Sequence, residues 1–559
     1  MTSPTLPVYE ALALDIKAMG VEVVFGLMSD DTALFCTSLD AAGVRFYGAR
    51  HENTAIGMAE GYAAASGRLG IAVLGRGPAT ANGLHGATYA QRTGSRVLVI
   101  FGDAPTQAGP NAFGPDNKTF NGIAALQAAG YKPFVASGAS SARQVLAQAA
   151  AAAMQAPTAL LLPADVQTAR VEAGPAAARL APPAAEAPQP PRESAIAAAT
   201  ALIARSRRPL ILAGVGALRA GAKDALVALA DHLGAALATT MKAKDMFRGH
   251  PMDCGMVGSF SHGGGRRLTE QADCVLAFGA GLNQRTSAMG TAIPKDAPLI
   301  QVDRLRSNIG RWLHADVAMV GDAKLSAQAL MQALPAREPA DKEFHAPAFR
   351  DWLGRFKLAD DFKPAHTART VDTRSVGLAL DGMLPPERNL VYDAGNFLQV
   401  MPYLSVQDPS RLKQAGDFAS IGMGIGVAMG FARATPERPT VFLVGDGAFL
   451  MTLGELETVA RENIPLVIVV MNDCAYGAEL HFLKMRDMPV AMSVFPDVDF
   501  APIAAAFGFQ TATVRTMDEL AALAPMLARP DGPILIDCKV NAAIPAGFLH
   551  DGAAVRSAM

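Results

Sequence analysis

Cysteine is scarce in this chain, with five residues in 559. Cys36, Cys254, Cys274, Cys474 and Cys538 form no CxxC pair and show no metal-finger spacing. An odd, sparse set of thiols fits a reducing compartment better than a disulfide framework. Charge is thin as well: 18% of residues are Asp, Glu, Lys or Arg, and the formal net charge is -2. That balance gives neither nucleic acid nor an anionic membrane a reason to bind. No apolar run reaches the roughly 18 residues of a membrane span without a charge, Gly or Pro interrupting it. The opening segment, MTSPTLPVYEALALDIKAMG, lacks the basic region and apolar core of a signal peptide. A soluble, cytoplasmic protein is expected.

Apolar residues are abundant, at 50% of the total. A chain of 559 residues exceeds one core, and about three or four domains are expected. Short β-rich runs (VEVVFGL, VRFYGAR, GIAVLG, RVLVIFG) alternate with Ala-rich, helix-prone stretches. That alternation predicts βαβ units, parallel sheets and an α/β fold of doubly wound domains. Two composition breaks interrupt it. Residues 172–193 are rich in Pro and Ala, residues 334–372 are polar and charged, and both read as linkers. The blocks between are 1–171, 194–333 and 373–545. The first and third share a strand-helix rhythm, which raises the question of whether they are distant copies.

The stretch VFLVGDGAFLMTLGELETVARENIPLVIVVMND, Val441 to Asp473, carries the clearest chemical signal. A buried strand runs into Gly445-Asp446-Gly447, where glycine lets the backbone bend sharply. One helix with Leu453, Leu456, Val459 and Ala460 on a single face is expected next, broken by Pro465 before the strand LVIVVM. Neighbouring parallel strands end on one edge, where open α/β sheets bind ligands. Asp446 and Asp473 would converge there as oxygen ligands for a hard cation such as Mg2+, which often keeps phosphates as co-ligands. The glycines leave room for a phosphate beside bare amides near the helix start. Taken alone, Gly-Asp-Gly is a turn and Asn-Asp a loop cap. Their order around a strand, a helix, a second strand and a second acid argues for a site.

This segment resembles the signature of the thiamine-diphosphate enzymes related to acetolactate synthase, pyruvate decarboxylase and benzaldehyde lyase, which is Gly-Asp-Gly followed at a set distance by paired Asn. Asp473 stands where Asn is usual, which keeps an oxygen ligand and adds a negative charge. GAGLNQRTSAMG and IQVDRLRSNIGR are similar to the family's middle domain, and PTALLLPADVQ to the end of its first domain. The resemblance therefore covers nearly the whole chain. It implies pyrimidine-binding, middle and diphosphate-binding domains, with thiamine diphosphate and Mg2+ as cofactors. It also implies Asp446, Asp473 and the carbonyl of Ala475 as metal ligands.

The same resemblance supplies the rest of the site. Thiamine chemistry needs a carboxylate that protonates the aminopyrimidine ring, and GARHENTAIGMAEGYAAASGR resembles the family's glutamate motif, with Glu52 right after its strand. By itself a carboxylate there is an ordinary helix-dipole partner. In the family the glutamate and the diphosphate block come from different subunits, which implies a homodimer or homotetramer with active sites between subunits. In DFASIGMGIGVAMG the glycine spacing reads as a helix packed closely on a neighbour. Ile421 there matches the residue that bends the cofactor, and the Ala419 carbonyl would accept from its amino group. Gly395, Asn396 and Phe397 resemble a diphosphate-contacting loop. Gly445, Gly447 and Ala448, with Tyr476, Gly477 and Ala478, would border the cofactor.

The residues that select the reaction depart from each named relative. Met28 and Ser29 stand where benzaldehyde lyase would carry a His, and Lys118 falls near a Gln of acetolactate synthases. FGDAPTQAG lacks the paired His of pyruvate decarboxylases. Lys118 and Arg76 suit a substrate anion, and equally suit ordinary loops. Glu479 falls where pyruvate decarboxylases have a proton-handling glutamate, although an acid in a first helical turn is common for dipole reasons. His481 reads as a packed histidine before it reads as a pocket residue, and Cys474 has no base paired with it. PLILAGVGALRAG suits a nucleotide pocket, yet the motif is incomplete and FAD is not expected to be required. The expected enzyme is acetolactate-synthase-like. It would decarboxylate a 2-oxo acid, or form or cleave an acyloin-type C–C bond, acting on small 2-oxo acids, aldehydes or acyloins. A benzaldehyde-lyase-like or 2-hydroxyacyl-CoA-lyase-like C–C lyase is the alternative.

Overall fold

The computed structural model describes residues 4–108, 116–174, 177–181, 187–549 and 551. Apolar runs too long for alternating burial become the inner strands of parallel sheets, covered on both faces; Leu466–Asn472 is buried at every position. Three such six-stranded sheets form, one in each block. The first sheet runs Arg45–Gly48, Val23–Leu27, Gly70–Leu74, Val97–Asp103, Thr158–Pro163 and Phe134–Val135 in spatial order. The third runs Leu412–Gln414, Asn389–Tyr392, Thr440–Gly445, Leu466–Asn472, Ile534–Lys539 and Gln510–Val514. Numbered within each sheet, both have the strand order 2-1-3-4-6-5. The middle sheet runs Asp253–Met256, Ala236–Thr239, Pro209–Ala213, Cys274–Phe278, Leu299–Asp303 and Val317–Val320, which is 3-2-1-4-5-6. The first and third blocks therefore share a topology that the middle block does not.

One helical expectation is corrected. The segment after Gly-Asp-Gly forms two short helices, Asp446–Leu450 and Glu455–Arg461, rather than one. Thr452 and Gly454 disfavour a helix interior, and the Thr452 hydroxyl bonds back to the carbonyls of Ala448 at 3.5 Å and Phe449 at 3.4 Å. Leu456 and Val459 are fully buried, while Leu453 and Ala460 are partly buried against the same core.

The outer two blocks pack through one helix from each, Glu52–Ser66 and Gly424–Ala434, each of which follows strand 2 of its sheet. The approach is close enough to require glycine. A Cβ on Gly61 would lie 2.1 Å from the Val427 carbonyl oxygen, and one on Gly430 2.0 Å from that of Met58. A single apolar cluster runs from Phe25 and Phe101 through these helices to Phe442 and Val470, so the two sheets share one core. The middle sheet has its own cluster on each face. Buried Glu60 adds a polar tie, taking the Lys413 ammonium at 2.6 Å and the Ser95 hydroxyl at 2.6 Å. No described helix is long and apolar enough to cross a membrane.

Candidate active site

Strands Thr440–Gly445 and Leu466–Asn472 lie side by side in parallel register, with Gly445 opposite Met471. Asp446 and Asp473 leave them at the same edge. Asp446 is buried, and its Oδ2 has no hydrogen-bond donor unless a proton is shared with neighbouring Asp473. Burial, and then the Asp473 charge, push the Asp446 carboxyl well above the usual carboxylate range, and burial pushes that of Asp473 up as well. Two carboxylates withdrawn from water without a counter-ion fit a bound cation. Among the described residues there is no group of three or more His, Cys, Asp or Glu that could hold a metal. The remaining ligands would have to be carbonyl, water or phosphate oxygens, and an all-oxygen set of this kind suits Mg2+. Asn472 points elsewhere and braces the loop: its amide donates to the carbonyl of Val498 and to Asp537, both at 3.0 Å, and its oxygen accepts from Cys474 N at 3.3 Å. Cys474 takes a left-handed backbone there, at φ 55°.

A cavity of about 840 Å³ opens in front of the two aspartates. The structure brings together around it Gly395, Asn396 and Phe397; Ala419 and Ile421; Gly445, Asp446, Gly447 and Ala448; and Asp473 with Ala475, Tyr476, Gly477 and Ala478. Glu479 lines it too, from the exposed first turn of the helix Gly477–Lys484. His481, on the same helix, is buried at 6% exposure and does not line the cavity. The Asn396 amide is engaged by the chain's end: Nδ2 donates to the Ile544 carbonyl at 3.0 Å and Oδ1 accepts from Ala546 N at 2.8 Å. Asn396 thus pins residues 544–546 beside the cavity.

Among the described residues of 1–171, none lines the cavity. Glu52 starts the helix Glu52–Ser66, is buried at 8% exposure, and accepts from Asn82 Nδ2 at 3.3 Å. Met28, Ser29, Arg76 and Lys118 gather at the carboxyl edge of the first sheet, where both cations are already paired. Arg76 bridges to Asp116, and its backbone N–H donates to Asp31 at 3.0 Å. Lys118 bridges to Asp30, and that bond holds the Asp30 carboxyl down at about 2. Ser29 donates to Asp31 at 2.6 Å, and Met28 is half exposed.

The far wall of the cavity was not anticipated. It is built from Thr240, Lys242, Phe260, Asn283 and Arg285 of the middle block, with Phe548 from near the chain's end. Lys242 forms an ion pair with Asp417 that ties the middle block to the third. Arg285 stacks over the Phe548 ring at 4.3 Å. The only sequence signal was the run GAGLNQRTSAMG, which marks a domain but not the wall it forms.

Comparison with known proteins gives the family. Models described as the N-terminal TPP binding domain, central domain and C-terminal TPP binding domain of thiamine pyrophosphate enzymes match residues 7–121, 196–330 and 393–538. The chain belongs to the thiamine-pyrophosphate-dependent enzymes. It is 27% identical to a probable acetolactate synthase large subunit of Methanocaldococcus jannaschii, over 96% of this chain and 92% of that one. It is 28% identical to a sulfoacetaldehyde acetyltransferase of Rhodobacter capsulatus, over 97% and 95%. It is also 28% identical to a probable 2-ketoarginine decarboxylase of Pseudomonas aeruginosa, over 92% and 91%.

Proposed function

We propose that this chain is a thiamine-diphosphate- and Mg2+-dependent enzyme of the acetolactate-synthase-like branch. It decarboxylates a 2-oxo acid, forms or cleaves an acyloin-type C–C bond, or does both in sequence. The observation that carries the reading is buried Asp446, with an oxygen lacking a donor, beside half-buried Asp473 in one cavity with Ala419 and Ile421. Relatives named as an acetolactate synthase, an acetyltransferase and a 2-ketoarginine decarboxylase support chemistry at a 2-oxo or acyl carbon.

In this reading Asp446, Asp473 and the Ala475 carbonyl would hold Mg2+. The backbones at Gly395–Phe397 and Gly445–Ala448 would hold the diphosphate, with Tyr476–Ala478 bordering it. Ile421 and the Ala419 carbonyl would orient the aminopyrimidine. The cofactor supplies a carbon nucleophile for carbonyl substrates and a sink for the resulting electron pair. Glu52, contributed by a second copy of the chain, would hold a proton for the aminopyrimidine nitrogen. That no described residue of 1–171 lines the cavity supports a homodimer or homotetramer with sites between subunits. Glu479 moves protons on the substrate side. Met28, Ser29, Arg76 and Lys118 reach the substrate with Glu52, and a substrate anion must then displace Asp116 or Asp30 from its cation. His481 packs behind Glu479. A flavin is not required for turnover.

The test incubates purified protein, thiamine diphosphate and Mg2+ with a panel of 2-oxo acids and aldehydes and identifies the products. Released CO2 or acyloin products, lost on chelation of the metal, are expected. No turnover across the whole panel overturns the reading. Cleavage of acyloins without any turnover of 2-oxo acids would select the lyase alternative, which the benzaldehyde-lyase-like run GAELHF supports. An ultraviolet-visible spectrum of the purified protein is expected to lack flavin bands.

A further inference from the structure

Asp393 is a buried acid that the reading above does not use. It follows the strand Asn389–Tyr392 and is completely enclosed. Among the described residues no Lys, Arg or His pairs with it. Its carboxylate instead collects backbone N–H groups from two separate loops. Ala394 N donates at 2.7 Å, Gly422 N reaches both oxygens at 3.1 and 3.3 Å, and Gly424 N donates at 3.0 Å. Gly424 opens the 11-residue helix Gly424–Ala434, so the acid faces unpaired donors at the positive end of a helix dipole. A Cβ on Gly424 would lie 2.7 Å from Asp393 Oδ2, so the carboxylate fits only against glycine.

Both loops line the cavity, one with Ala394 to Leu398 and the other with Gly416, Asp417, Ala419 and Ile421. The second loop is a run of uncommon backbone, with φ 54° at Ala419 and 87° at Gly422, and such turns persist only when their surroundings hold them. We propose that Asp393 is a positioning residue: by clamping the loop at 394–397 to the loop at 416–424, it fixes where Ile421 and the Ala419 carbonyl stand in the cavity. The proposal rests on the cofactor reading above. Asp393 touches no cofactor atom in it and acts through the two loops. A carboxylate is needed because both oxygens accept, whereas the NH2 of an Asn at this place would confront an N–H donor.

The test uses Asp393→Asn, which nearly preserves shape, together with Ile421→Ala. Asp393→Asn is expected to keep cofactor affinity by titration calorimetry and substrate KM within about threefold. It is expected to lower kcat about 10- to 100-fold, because a displaced wedge misaligns the reacting atoms. The near-ultraviolet circular dichroism of the bound cofactor should change with it. Amide exchange supplies a readout that does not depend on any variant folding: in the cofactor-free wild-type chain, Gly422 and Gly424 are expected to be strongly protected. Unprotected exchange at these two amides, or a fully active Asp393→Asn with an unchanged dichroism band, overturns the clamp. If Ile421→Ala is impaired while Asp393→Asn is fully active, the clamp alone fails. If Ile421→Ala is itself fully active, the cofactor reading fails.

Discussion

The first and third sheets share one strand order, and in each the helix after strand 2 carries a pair of glycines, Gly57 and Gly61 in one, Gly426 and Gly430 in the other. These helices meet in swapped pairs. Gly426 lies on Thr54 and Gly57 on Met423; Gly430 lies on Met58 and Gly61 on Val427. An approximate two-fold axis between the helices produces this pattern. Five residues before the first glycine of each pair stand Glu52 and Ile421, so equivalent places carry a carboxylate in one copy and an apolar side chain in the other. The turn after strand 3 repeats too, as Gly75-Arg76-Gly77 and Gly445-Asp446-Gly447, with opposite charge at its centre. The lesson is that a backbone device can occur twice while its centre differs: the turn in the third block carries Asp446 where that in the first carries Arg76.

The largest expected effect tests that division at Glu52. Glu52→Gln should lower activity by about 10²- to 10⁴-fold while cofactor still binds in a calorimetric titration. A fully active variant would break the proton-donor role. The two Gly-x-Gly turns come next. Asp446→Ala should weaken cofactor binding about 100-fold, and Arg76→Ala should leave it within about threefold. Equal losses at both turns would erase the distinction between the copies. The helix crossing gives a smaller effect: Gly430→Val should cost about 1–3 kcal/mol or more in denaturant unfolding. Gly138→Ala, with open space around it, should stay within about 0.5 kcal/mol.

The middle sheet, which lacks the shared strand order, is the control and carries the smallest effect on activity. Burial raises the Asp253 carboxyl from 3.8 to about 6. Because the folded value is the higher one, its contribution to stability is complete below pH 3.8 and is lost as pH rises through about 6. Asp253→Asn should therefore raise Tm by about 4 °C at pH 8, with the gap closing below pH 4. The activity assays of the outer blocks should not register it.

Much of the molecule was legible in one dimension because its inner strands are buried on both faces and so read as continuous apolar runs. Gly-Asp-Gly and the second acid were legible for a related reason: strand ends, tight turns and hard ligands each restrict which residue fits. The split of residues 446–461 into two helices was not, because Thr452 and Gly454 are modest local penalties that packing arbitrates. Nor was the pairing of Arg76 with Asp116 and Lys118 with Asp30, since single charges in loops carry no record of their partners.

By itself the chain's order of residues determined the parallel sheets, the acid-bearing turns and the glycines that let two helices touch. These follow from short-range geometry and from the period of burial. Only the tertiary structure decided that the middle block and Phe548 wall the cavity, that Asn396 holds residues 544–546, and that no described residue of the first block, Glu52 included, lines it within one chain. Those outcomes depend on contacts between residues hundreds of positions apart, and such contacts leave no periodic mark on the sequence.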